Sequence, residues 1–216
     1  MEFSHILDVA AKEQDPIRRM ALAGLFFAIN VTTIEKFPAK PFNPMLGETY
    51  EYVIPGKCTY LAEQVSHHPP ISAFEFKGEA GYKRYGTVKL QTSLSTGSLS
   101  FYNPYKEYFE FPLFGEKFEF IPGNKSIHNL IMGSPYLEVT GKSYLKNQAC
   151  PNEKYVEIEY FRRGWTTDTC HRLQGKVYSR AGEVAYRIEG RFCKEVCLIN
   201  AKTGVKEMVW TKQPYP

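Results

Sequence analysis

Residues 63 to 70, Glu63-Gln64-Val65-Ser66-His67-His68-Pro69-Pro70, bring the chain's densest set of chemically capable side chains together. Two imidazoles can donate hydrogen bonds and, near neutral pH, can add positive charge. The Ser66 hydroxyl, the Gln64 amide and the Glu63 carboxylate flank them, so the stretch reads as a recognition site. Pro69 fixes its own backbone and drives His68 towards an extended conformation. Neighbours on an extended chain face opposite ways, so the two rings diverge unless a bulge or turn re-aims one of them. Taken alone, the same residues also fit a strand-to-loop junction with two solvated histidines.

Catalysis would ask for more. A metal site needs convergent His, Asp, Glu or Cys ligands, and His5, His128 and His171 stand in no ligand spacing. No GxSxG, HExxH or Walker-type loop occurs. Glu63 could act as a base, but a structural salt bridge suits it better. The residues therefore read as a binding module without metal or cofactor, with a His-dependent hydrolase as the weaker alternative.

The elements that position this stretch begin with helix. Ser4 can cap a short helix running to about Lys12, and Asp15-Pro16 reads as an N-cap followed by proline at the first helical position. The second helix carries Met20-Ala21-Leu22-Ala23-Gly24-Leu25-Phe26-Phe27-Ala28-Ile29, apolar all round, which implies burial on every side. The run falls short of the roughly 20 apolar residues of a membrane span. Most of it reads as core, with lining or plugging a cavity as the functional alternative. Lys40-Pro41-Phe42-Asn43-Pro44 then forms a stiff loop into a strand at Thr49–Val53, and Pro55-Gly56 turns the chain into the strand that leads from Cys58 to the histidines. Antiparallel neighbours put the start of one beside the end of the next, so Lys40 and Asn43 return to the rim that bears His67 and His68.

After the histidines the pattern is nearly all strand. Segments at 71–76, 85–91, 108–111, 117–121, 136–139, 155–161, 175–178, 184–188 and 196–200 are separated by turns with Gly, Pro or Asn, among them Gly97, Gly115, Gly141 and Gly164. The expected fold is mostly β: a large antiparallel, partly closed β-barrel with a short helical N-terminal segment, wide enough to enclose a ligand. Val156, Ile158 and Tyr160 share one face of their strand, which suits either a lipid tail or a filled core.

At 216 residues, 43% hydrophobic and 23% charged, the composition is that of a globular protein with a substantial core. A net charge of +4 without a Lys/Arg stripe argues against nucleic acid and is compatible with transient contact with an anionic membrane surface. Five cysteines without paired CxxC elements read as reduced thiols, and the N-terminus lacks a secretory pattern, so a cytoplasmic setting is expected.

The run Glu63–Pro70 resembles, letter for letter, the signature of the oxysterol-binding protein-related family of lipid-transfer proteins. Lys40-Pro41-Phe42-Asn43-Pro44-Met45-Leu46-Gly47-Glu48-Thr49-Tyr50-Glu51 resembles that family's turn and first strand, and Met1–Asp8 its preceding helix. Phe192 stands where relatives more often carry tryptophan, a departure expected to affect packing only. The resemblance implies that residues 1–216 form one lipid-binding domain, cut short at both ends relative to the family's lid and its later helices. It further implies that Lys40, Asn43, His67 and His68 grip the headgroup of phosphatidylinositol 4-phosphate. That lipid would be exchanged against a sterol or phosphatidylserine at membrane contact sites. A lipid sensor that binds without transferring is the alternative.

Overall fold

The computed structural model describes residues 3–35, 42–166 and 169–212. Two helices come first, α1 (Ser4–Ala10) and α2 (Pro16–Ile29), followed by a 3-10 turn (Asn30–Glu35). Asp15 caps α2, its carboxylate accepting from the Ile17 N–H at 2.9 Å, and Pro16 takes the first helical position as expected. Ser4 does not cap α1. It lies buried inside the first turn, and Phe3 holds the cap position without a side-chain hydrogen bond. Packing fixes that helix start instead, because Phe3 is buried edge-on against Trp210 at 5.5 Å. The helix also ends earlier than expected, at Ala10.

All residues of α2 from Arg19 to Ile29 are buried, in keeping with its all-round apolar character. Gly24 allows the close seat: a Cβ there would stand 2.8 Å from both Val156 methyl groups. Arg19 is the exception in chemistry. Its Nε donates to Glu116 Oε2 at 2.7 Å, Nη1 donates to the Glu13 carbonyl at 2.5 Å, and the guanidinium lies 3.6 Å from the Phe114 ring centroid.

Among the described residues fifteen strands follow. The first run is β1 (Thr49–Ile54), β2 (Cys58–His67), β3 (Pro70–Gly78), β4 (Tyr82–Val88), β5 (Gln91–Ser95), β6 (Ser98–Tyr102), β7 (Glu107–Phe111) and β8 (Glu116–Ile121). The second is β9 (Asn124–His128), β10 (Tyr136–Asn147), β11 (Tyr155–Tyr160), β12 (Arg172–Arg180), β13 (Glu183–Arg191), β14 (Glu195–Asn200) and β15 (Lys206–Thr211). They pair in the order β1-β2-β3-β4-β7-β8-β10-β11-β12-β13-β14-β15, every pairing antiparallel. β1 and β15 stand at the two ends of that order, so the barrel is not strictly closed.

β5, β6 and β9 form a branch that joins through the first half of β10. The expected turn at Gly141 is instead a bend inside β10. Residues 136–140 pair with β9 and residues 141–146 with β11, and Gly141 takes φ +80° at the changeover, where a side chain would be strained. The expected strand at 85–91 splits as well, stopping at Val88 before β5 begins at Gln91.

The core fills the concave side between α2 and the strands. Phe27 stacks on Phe120 at 4.2 Å and meets Phe109 edge-on at 5.6 Å. Val156, Ile158 and Tyr160 are all buried there, the first two as core and Tyr160 also bordering a cavity. Phe192 is also buried, edge-on to Tyr160 at 5.8 Å.

Candidate lipid-binding site

β2 carries the histidines to the edge of the sheet, and two local irregularities bring them together. The β2–β3 register runs Gln64↔Ser72 and then Ser66↔Ile71, leaving Val65 as a bulge, and the chain turns at 68–69 through a cis His68–Pro69 bond. A bulge and a turn undo the alternation that would otherwise send neighbouring side chains apart. The His67 and His68 rings end up 4.6 Å apart between centroids, at 63° to each other, and both residues are exposed.

The loop before β1 lies beside this edge, as antiparallel pairing of β1 and β2 requires. Gly47 N–H donates to the Gln64 carbonyl at 2.8 Å, and Gln64 N–H donates to the Glu48 carbonyl at 3.0 Å. Thr49 stands opposite Glu63. Asn43 lies on the exposed stretch that feeds this contact, and the Glu48 carboxylate holds it by accepting from Met45 N–H at 2.7 Å. Lys40 lies outside the described residues.

Two neighbours have roles other than those expected. Gln64 is buried and spends its amide internally: Nε2 donates to the Ser66 carbonyl at 2.9 Å, and Oε1 accepts from Ser72 Oγ at 2.5 Å. Its task is to brace the bulge rather than to meet a ligand. Glu63 is exposed and makes no ion pair among the described residues, where a structural salt bridge was expected. Among the described residues no third His, Cys, Asp or Glu joins the histidine pair as a metal ligand set.

Behind the edge the concave wall is aromatic. Tyr50, Tyr60 and Phe74 follow one another across β1, β2 and β3 at 6.2 and 6.3 Å between centroids. Burial pushes the Tyr60 phenol up, against the pull of the Arg84 guanidinium. The wall leads to a cavity of about 220 Å³, walled by Phe27, Leu90, Phe101 and Phe120 together with Val88 of β4. Register connects cavity and histidines: Val88 stands opposite Ser72, and Ser72 opposite Gln64, three residues before His67.

The cavity also contains charge that sequence reasoning missed. Arg84 Nη2 donates to Glu107 Oε2 at 2.6 Å and its Nε to the same oxygen at 3.2 Å. Lys125 of β9 reaches the same space. A signal for two of the three was present in the alternation. Glu107 shares its face with Phe109 and Phe111, and Arg84 shares its face with buried Tyr82, so each is a charge in an inward phase. Lys125 sits on a strand that was not expected at all.

The family model described as oxysterol-binding protein matches residues 1–216. Human oxysterol-binding protein-related protein 3 is 28% identical over the whole chain, which covers 24% of that relative. Oxysterol-binding protein-related protein 3C of Arabidopsis thaliana is 34% identical over 89% of the chain, covering 41% of that relative. Among solved structures, the Osh1 ORD domain in complex with cholesterol superimposes with a TM-score of 0.88 at 24% identity, over 100% of this chain and 55% of that one. The Osh3 ORD from Saccharomyces cerevisiae in complex with PI(4)P gives 0.77 at 23% identity, over 98% of this chain and 56% of that one. The chain thus spans about a quarter of the animal relatives and just over half of the solved domains. With the model matched from end to end and the fold shared, this chain belongs to the oxysterol-binding protein family.

Proposed function

We propose that the chain is a lipid-binding domain that takes phosphatidylinositol 4-phosphate at the histidine edge and exchanges it against a sterol or phosphatidylserine between membranes. The observation that carries this reading is the pair of exposed imidazoles, 4.6 Å apart, at the same end of β2–β3–β4 as a cavity with Phe27, Leu90, Phe101 and Phe120 in its wall. A phosphorylated headgroup needs donors and positive charge at a rim, with apolar space behind for its chains. His67 and His68 supply ring donors, Asn43 an amide on the adjoining loop, and Lys40 an ammonium from the segment before it. The solved Osh3 domain with PI(4)P and the Osh1 domain with cholesterol support ligands of these two kinds.

Binding rather than catalysis is the chemistry that these groups suit. The site is expected to act from solution or peripherally at membrane contact sites, and no helix among the described residues is long and apolar enough to cross a membrane. The test is transfer between two vesicle populations, one loaded with phosphatidylinositol 4-phosphate and the other with dehydroergosterol or labelled phosphatidylserine. Counter-transport that needs both lipids supports exchange. Extraction of one lipid without delivery identifies a sensor, and neither extraction nor delivery removes the lipid reading.

A further inference from the structure

The charges of the cavity do not balance among the described residues. Arg84 and Glu107 form a closed pair, two donor nitrogens on one carboxylate oxygen, with side chains 18% and 11% exposed. The Lys125 side chain forms no hydrogen bond or ion pair among the described residues, yet it lines the same space from β9, opposite Phe101 on β6. One positive charge is therefore left facing an apolar-walled cavity. Lys125 is exposed as a residue, while the protein packed around its ammonium partly desolvates it and pushes its pKa down. The Glu107 carboxylate opposes that shift and the Arg84 guanidinium adds to it. A partly desolvated cation without a counter-ion carries a cost, and an anion that enters the cavity lowers it.

We propose that Lys125 is a receptor for the anionic group of an amphiphile, a carboxylate or phosphate carried on an aliphatic chain. The interior then favours an anionic lipid over a neutral sterol. Phe27, Leu90, Phe101 and Phe120 flank the first carbons of the tail. The volume of about 220 Å³ suits a polar end and the start of a chain, being smaller than the pockets of roughly 300 Å³ and above that enclose drug-sized ligands. This inference rests on the reading of the interior as a lipid site, but not on the histidine edge.

The test is competition at equilibrium in the purified chain. cis-Parinaric acid, a fluorescent long-chain carboxylate, is displaced by oleate, oleoyl lysophosphatidate or oleyl alcohol. Dehydroergosterol is titrated separately. Wild type should prefer the two anions over the alcohol by roughly 10- to 100-fold, the range of a hydrogen bond to a charged group. Comparing oleate with lysophosphatidate tells which anion fits better. Lys125→Met should erase the preference, and Lys125→Arg should retain it. Equal competition by oleate and oleyl alcohol on wild type overturns the proposal, and so does a preference that survives in Lys125→Met. Should the methionine variant not fold, the wild-type comparison still decides. If wild type binds neither amphiphile nor sterol, the lipid reading falls together with this one.

Discussion

Replacing Arg19 with methionine isolates the ion pair that fastens α2 to the sheet. The side chain of Arg19 is 4% exposed and that of Glu116 16%, with 2.7 Å between Nε and Oε2. Methionine keeps much of the volume, so the main loss is electrostatic. Removing one member of a buried pair typically costs 3–5 kcal/mol, and the partly hydrated Glu116 places this case near the low end, at about 3 kcal/mol. Losing the guanidinium 3.6 Å over Phe114 adds about 1 kcal/mol. The sum of about 4 kcal/mol is a large share of the 5–15 kcal/mol that holds a domain together. It should lower Tm by about 8 to 16 °C for a chain of this size. Arg19→Met/Glu116→Met should recover most of the loss, because no unpaired charge is left behind. Urea unfolding followed by circular dichroism, with thermal melts alongside, measures both variants. A cost below about 1 kcal/mol for the single variant, the value of a surface pair, would refute the reasoning. So would a double variant no more stable than the single one.

Further outcomes follow from packing and charge. Gly24→Ala should cost about 1–3 kcal/mol by driving its Cβ to 2.8 Å from the Val156 methyls, and Val156→Ala added to it should restore part of the urea midpoint. Gly190→Ala should lose more than about 3 kcal/mol, since its Cβ would collide with the Glu195 carbonyl oxygen, a backbone atom that cannot swing aside; a near-native melting curve would contradict this. For Lys125 the folded pKa lies below the unfolded one, so between the two values the unfolded chain binds the extra proton and stability rises with pH. Arg84, Glu107, Tyr102 and Tyr160 line the same cavity. Wild type should therefore gain stability relative to Lys125→Met as pH climbs from neutral to about 10, the ordinary lysine range, and a pH-independent difference would count against a desolvated ammonium.

Where a local rule acts alone, the chain was readable from its residues. Asp15-Pro16 opened α2, Pro55-Gly56 turned β1 into β2, and the alternation of Val156, Ile158 and Tyr160 chose the buried face. The antiparallel meander followed from strand spacing and turn residues. What escaped depended on partners distant in sequence. Ser4 has a capping side chain, but the Phe3–Trp210 contact sets the helix start across the whole length of the chain. Gly141 has turn chemistry, but β10 uses its positive φ to pass from one set of neighbours to another. β5, β6 and β9 are short, rich in serine and weakly alternating, so pairing with one another and with β10 defines them better than their own residues do.

The site divides in the same way. His67 and His68 were marked by residue type, and their mutual approach depended on a bulge and turn that alternation alone does not specify. Gln64 looked like a ligand donor because its composition is polar, whereas its burial turns it into a brace. Arg84 and Glu107 come together only through the β4–β7 pairing, across a 23-residue separation that includes the whole β5–β6 hairpin.

The histidine edge carries the central claim, and vesicle co-sedimentation tests it most directly. Wild type and His67→Ala/His68→Ala are compared on neutral vesicles with and without phosphatidylinositol 4-phosphate. Both histidines are exposed, so the double variant should keep the wild-type urea midpoint. The account predicts binding that depends on the phosphoinositide in wild type and is lost in the folded double variant. Undiminished phosphoinositide-dependent binding by that variant would contradict it.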